Sequence, residues 1–274
     1  MPRLVLVPAL KYLNLEILVL LSTCMLVAEH VVHVSLPVTA YIVVPAATWA
    51  VYTIDRLVDS RTTTLTTGRH TFHRRNARWL IPTAGVSLLM AAVLAALSFP
   101  ATFWIAGGVV GLWTVLHIPL QRSHRKRWAV VKDLNVGVVF TVAAWILPLT
   151  QWWTSGSGVS VLEWLPMFGI MLCTIVMDIL FLSQLDYNHD EQQRLPSIAV
   201  ALGWSTMRRL QFLLLALILA ISVIMSITTD QPLRAFIAAL PALLYSAARF
   251  SGPVDLQRVV LELVPTLWIL ILWT

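Results

Sequence analysis

Long apolar stretches broken by short polar ones set the pattern of this chain. Between Arg78 and Arg122 lie 43 residues without a Lys, Arg, Asp or Glu, interrupted by "SFP" at 98–100. A bilayer is crossed by about 20 apolar residues in a helix, so this stretch predicts two spans joined by a tight turn. The same reading places helices over 12–31, 36–54, 77–97, 101–119, 130–150, 161–184, 209–228, 233–250 and 257–273. The expected fold class is all-α integral membrane, a nine-transmembrane-helix bundle with a single domain over 1–274.

Composition agrees with that pattern. The 274 residues are 58% hydrophobic and 12% charged, outside the range of an ordinary soluble domain. Basic residues are retained on the cytoplasmic side of a membrane. On the nine-span reading 18 of the 19 Lys and Arg fall on one side, with Arg234 the exception. That asymmetry places the N-terminus in the cytoplasm and the C-terminus outside, with the cell (inner) membrane as the expected location. "TQWWTSGSG", at 150–158, has the aromatic and small residues of an interfacial anchor and turn. The net charge of +6 is what this topology and anionic headgroups already account for, so membrane lipids rather than nucleic acid are the expected partners. Cys24 and Cys173 fall within expected helices without CxxC spacing and read as packing residues. The opening "MPRLVLVPALK" has no small-residue cleavage site, and the first apolar segment reads as a retained helix.

Two acidic pairs stand out against this background. Asp55 and Asp59 end the second span in "WAVYTIDRLVDSR", and Asp186 and Asp190 follow the sixth in "SQLDYNHDEQQR". Their equivalence suggests two four-helix pseudo-repeats plus a ninth helix, an arrangement that commonly puts a shared site at the repeat interface. Residues i and i+4 share a helix face with Cβ atoms roughly 6 Å apart. Magnesium is usually bound by one or two carboxylates together with water and substrate phosphates, so two facing Asp pairs suit a diphosphate clamp. A single acidic pair at a helix end would read more simply as a solvated, salt-bridged cap. Two in matching positions beside an apolar cavity would be costly without cations.

Positive charge lies nearby. "RHTFHRRNAR", 69–78, and "QRSHRKRWAVVKD", 121–133, serve topology and lipid headgroups for the most part. Lys132 differs, since it opens an otherwise uncharged span beside Asp133 and can snorkel toward the proposed diphosphate. Glu16 and Asp178 lie inside expected spans, where ionisable groups are functional candidates, and they admit a transporter as an alternative. Asp178, eight residues before Asp186, shares its helix face and extends the same polar pocket. Among the seven histidines no two fall on facing mid-membrane helices, which sets haem ligation aside.

These residues together resemble the UbiA superfamily of intramembrane prenyltransferases. That family has nine helices, an NxxxDxxxD motif after the second and a DxxxD motif after the sixth. Here the counterparts are "VYTIDRLVD" and "DYNHD", followed by "RLPSIAVALG", which is similar to the family's "TLPVxLG". "LKYLNLEILV" resembles the start of the first helix, and "KDLNVGVVFTVAAWILPL" the fifth-helix segment. The resemblance covers nearly the whole chain through a combination of short motifs.

It implies Mg²⁺-dependent transfer of a polyprenyl group from its diphosphate to an aromatic or lipid acceptor in the membrane. Asp55, Asp59, Asp186 and Asp190 would be the catalytic carboxylates and metal ligands. Lys132 would bind diphosphate, with Lys11, Asn14, Tyr52, Arg56, Arg194 and His117 as further substrate-binding positions. Aromatic faces can stabilise an allylic carbocation, and Tyr52, Trp49 and Trp145 are candidates, each of which also reads as an ordinary interior or lipid-facing ring. The family's motif Asn falls on Val51, and a frequent neighbouring Asp on Tyr52. The usual Arg, Gly and Lys of the second motif are Glu191, Arg194 and Pro196, and a helix-four Tyr is His117. These departures keep the carboxylates and change their surroundings, which leaves a catalytically degenerate lipid- or isoprenoid-binding protein as the main alternative.

Overall fold

The computed structural model describes residues 12–62, 68–121, 126–192, 197–247 and 254–274. Among them every regular element is a helix. In chain order these are α1 (Leu15–Val31), α2 (Ala40–Thr62), α3 (Gly68–Ser98), α4 (Ala101–Gln121), α5 (Lys126–Ser155), α6 (Val161–Gln192), a short α7 (Ile198–Leu202), α8 (Trp204–Thr229), α9 (Pro232–Ala247) and α10 (Val254–Leu263), continued by a 3₁₀ segment over Val264–Trp273.

Four stretches are long and apolar enough to cross a bilayer: His70–Ser98, Trp128–Ser155, Val161–Asn188 and Trp204–Thr229. Ala101–Thr114, Pro232–Ala247 and Val260–Trp273 are shorter apolar helices. Large apolar side chains point outward from α3, α4 and α8, among them Val86, Leu89, Ile105 and Phe212. Such faces suit a surrounding of lipid tails and would be a liability in water. The architecture is that of a membrane helical bundle.

α1 lies at its centre. The helix is apolar on all sides, which is the signature of a buried helix, and Leu21, Cys24, Met25, Val27 and Ala28 are fully buried. It packs against α2, α5, α6, α10 and the 3₁₀ segment. α2 lies along α3, where the Ser87 hydroxyl donates to the Ala46 carbonyl at 3.0 Å. α5 and α6 meet through Gly137, whose missing side chain lets Val176 and Ile179 approach. The fully buried Trp145 sits on α5 against Trp164 and Phe168 of α6, with its indole N–H 3.0 Å from Met171 Sδ. Pro45, Pro82, Pro148, Pro166 and Pro241 lie within helices. In an apolar bundle neighbouring helices and local adjustments accommodate the backbone groups they free.

Candidate functional site

The two aspartate pairs end α2 and α6. On α2, residues three and four apart fall on one face, and Arg56 uses both spacings. Its Nη1 donates to Asp59 Oδ2 at 3.4 Å and its Nη2 to the Tyr52 hydroxyl at 3.3 Å. The guanidinium carbon is 5.0 Å from the Tyr52 ring centroid, a cation–π geometry. Burial opposes the Arg56 charge, but Tyr52, Asp55 and Asp59 outweigh it, so this group binds its proton more tightly than an ordinary arginine. The end of α2 is held from α3, where Arg74 Nε donates to the Ser60 carbonyl at 3.1 Å. A cation at a helix C-terminus satisfies a carbonyl that the helix leaves over and complements its dipole.

On α6, Asp186 is ion-paired with Arg258 of α10. Within the same stretch the Tyr187 hydroxyl donates to Glu191 Oε1 at 2.9 Å, so Glu191 engages its own helix. Asp190 is half-buried on the next turn.

Charged groups on α5 and α10 lie between the two ends. Arg56 lies close enough to Asp133 of α5 and to Arg258 of α10 for each to sense its charge. Lys132 Nζ is 3.9 Å from Asp133 Oδ1. The other oxygen, Asp133 Oδ2, accepts the backbone N–H of Ile198 at 2.9 Å, while Ser183 Oγ and Ser197 Oγ accept those of Ala199 and Val200. The first turn of α7 thus has its amide donors satisfied, and α5, α6 and α7 are joined at the level of the aspartates.

A second polar layer lies deeper. The buried Tyr245 hydroxyl of α9 is 3.0 Å from Asp178 Oδ1 and 2.8 Å from the Leu261 carbonyl. Glu262, also buried, senses both Asp178 and Arg258, and its Oε2 has no hydrogen-bond partner among the described residues. Asp186, ion-paired with Arg258, and the buried Glu262 and Asp178 thus form a set of ionisable groups that reaches from the end of α6 toward its middle.

The residues singled out from the sequence are distributed as follows. Asp55, Asp59, Tyr52 and Arg56 share the end of α2, Asp186 and Asp190 the end of α6, and Lys132 the start of α5. Asn14 is buried at the start of α1 in a left-handed conformation (φ 55°). Trp49 is a tie to this region, donating its indole N–H to the Leu13 carbonyl at 2.9 Å. Trp145 belongs to the aromatic core, about 18 Å along α5 from Asp133 at 1.5 Å per residue. Lys11 and Arg194 lie outside the described residues, as does the side chain of His117. Sequence reasoning assigned Arg258 to topology alone and passed over Tyr245 and Glu262. The available signal was a Glu262 four residues after Arg258, at the edge of an apolar run.

Among the described residues no group of three or more His, Cys, Asp or Glu side chains is placed to hold a metal ion. The donor chemistry nevertheless suits magnesium, which takes hard oxygen ligands and commonly only one or two protein carboxylates, the remainder coming from water and phosphate. Each i, i+4 pair could supply that number. Comparison with family models, curated proteins and solved structures gives no match.

Proposed function

We propose that the chain transfers a polyprenyl group from its diphosphate to an acceptor within the membrane. The observation that carries this reading is the placement of two i, i+4 aspartate pairs at the ends of α2 and α6, with Arg56, Arg258 and Lys132 among them. A nine-span bundle of two related four-helix units and a last helix is the architecture that goes with it. The UbiA-like motifs described above supply the reaction class.

In this reading Asp55, Asp59, Asp186 and Asp190 would hold Mg²⁺, which when bound neutralises the departing diphosphate. Arg56 and Arg258 exchange part of their carboxylate pairing for phosphate oxygens, and the guanidinium fork suits both partners. Lys132 adds a point charge from α5. The allylic C–O bond breaks with its electron pair going to the diphosphate, and the acceptor attacks the resulting carbon and gives up a proton. Tyr52, beneath Arg56, is the aromatic face on the aspartate side of α2. The prenyl tail lies among apolar side chains, each buried CH₂ contributing roughly 0.8 kcal/mol.

The test is incubation of the purified chain with labelled prenyl diphosphates, Mg²⁺ and a membrane extract, with mass spectrometry of any new adduct. Diphosphate release and an adduct are expected, both lost in Asp55→Ala and Asp190→Ala. Turnover retained in either variant removes the metal assignment. One observation favours a second reading, an isoprenoid-binding protein without turnover: Val51, one turn before Asp55, offers no ligand where the family motif has Asn. Tight prenyl lipid binding without diphosphate release would select it.

A further inference from the structure

At the end of the bundle opposite the aspartates, roughly 35 Å away along α6 at 1.5 Å per residue, a cavity of about 440 Å³ opens between α1, α6, α8 and α9. Its lining includes Val31, His33, Glu163, Met225, Gln231 and Arg234. Arg234 is 8% exposed. Its guanidinium is 3.3 Å from His30 Nε2 through Nη2 and 3.5 Å from the Thr274 hydroxyl through Nε. Among the described residues no carboxylate forms an ion pair with it. A buried guanidinium has five N–H donors and a charge that costs several kcal/mol to bury uncompensated. Both of these contacts are to a ring nitrogen or a hydroxyl oxygen and neither is to a carboxylate oxygen.

The lining also holds one carboxylate and one amide among apolar and hydroxyl side chains. Gln231 Oε1, just before α9 and three residues before Arg234, is buried without a hydrogen-bond partner among the described residues. Glu163 lines the same cavity, one oxygen accepting the Ser160 N–H at 3.0 Å. The cavity thus presents a buried guanidinium beside an exposed carboxylate, Glu163, and one buried acceptor, Gln231 Oε1, without a partner among the described residues. Apolar surface continues outward from it, with Leu162 at 71% and Leu233 at 60% exposure.

We propose that this cavity binds the headgroup of a phosphoethanolamine lipid. The phosphate meets Arg234, the ammonium meets Glu163 and Gln231 Oε1, and the acyl chains run over Leu162 and Leu233. The size falls within the range of small-ligand pockets. The inference is independent of the prenyl-transfer reading, since no residue is shared.

Native mass spectrometry and thermal unfolding of the delipidated full chain test it, with phosphatidylethanolamine, phosphatidylcholine and inorganic phosphate as probes. Phosphatidylethanolamine should bind at least tenfold more tightly than phosphatidylcholine, whose ammonium carries no N–H, and should raise Tm where inorganic phosphate does not. Arg234→Met should remove binding of both lipids. Glu163→Gln, an exposed change that keeps the Ser160 contact, should erase the preference between them and leave the phosphate contact intact. Equal binding of the two lipids by the native chain, stabilisation by inorganic phosphate alone, or an unchanged preference in Glu163→Gln would overturn the proposal.

Discussion

Arg258 of α10 is ion-paired with Asp186 of α6, a contact across 72 residues of chain. The pair clamps the last helix to the one that bears the second acidic motif. Its members are unequally shielded, with side-chain exposures of 11% for Arg258 and 37% for Asp186. A charge-assisted hydrogen bond of this kind contributes about 1.5–3 kcal/mol before allowance for solvent, which lowers that figure. Arg258→Gln is expected to lower Tm measurably, and the exchange Asp186→Arg with Arg258→Asp to restore part of it. Turnover with a prenyl diphosphate should stay lost in the exchange, because the carboxylate has left α6. Thermal unfolding and diphosphate release, measured side by side, separate the two effects.

Tyr245→Phe keeps the ring stacked on Phe181 and removes the one hydroxyl that reaches both Asp178 and the Leu261 carbonyl. The hydroxyl has a single proton to donate, so one buried acceptor then loses its donor, at a cost of about 1–3 kcal/mol. Asp178→Asn in the Tyr245→Phe background should recover part of that loss. A double-mutant cycle in detergent checks the coupling, and additive effects would show the two side chains to be independent.

A Cβ at Gly137 would stand 3.1 Å from Val176 Cγ2 and 3.2 Å from Ile179 Cδ1. Alanine there requires a small shift of flexible side-chain ends. Leucine would wedge α5 from α6 and is expected to cost about 1–3 kcal/mol, the usual penalty of overpacking. Gly137→Ala and Gly137→Leu, compared by thermal unfolding, should therefore differ sharply.

Val51→Asn returns an oxygen ligand to the face of α2 that carries Asp55, one helical turn on. If the acidic pairs hold magnesium during turnover, this variant should lower the Mg²⁺ concentration for half-maximal diphosphate release several-fold. An unchanged Mg²⁺ dependence would mean that position 51 stands outside the metal's reach.

Much of the helical plan was open to reading, because apolar runs and their breaks are local properties. The extent of each helix was less so. α3 begins at Gly68, well before the apolar stretch expected over 77–97, since "RHTFHRRNAR" is helical although charged. Hydropathy marks what lies in lipid, and a helix can continue past it. The expected helix over 257–273 is divided at Pro265, whose missing N–H and fixed φ favour the change to 3₁₀ geometry that the structure has from Val264. Within the candidate site, the i, i+4 aspartates were visible as spacing. Their partners were not, since Arg258 meets Asp186 and Tyr245 meets Asp178 only through the packing of distant helices.

That 3₁₀ tail has a geometric consequence. At about 2 Å rise per residue its ten residues extend some 20 Å, where an α-helix would need about 13 residues for the same reach. It carries the chain from Glu262, in the polar layer around Asp178, to Thr274 beside Arg234, so that ten residues link the buried acidic layer to the opposite cavity.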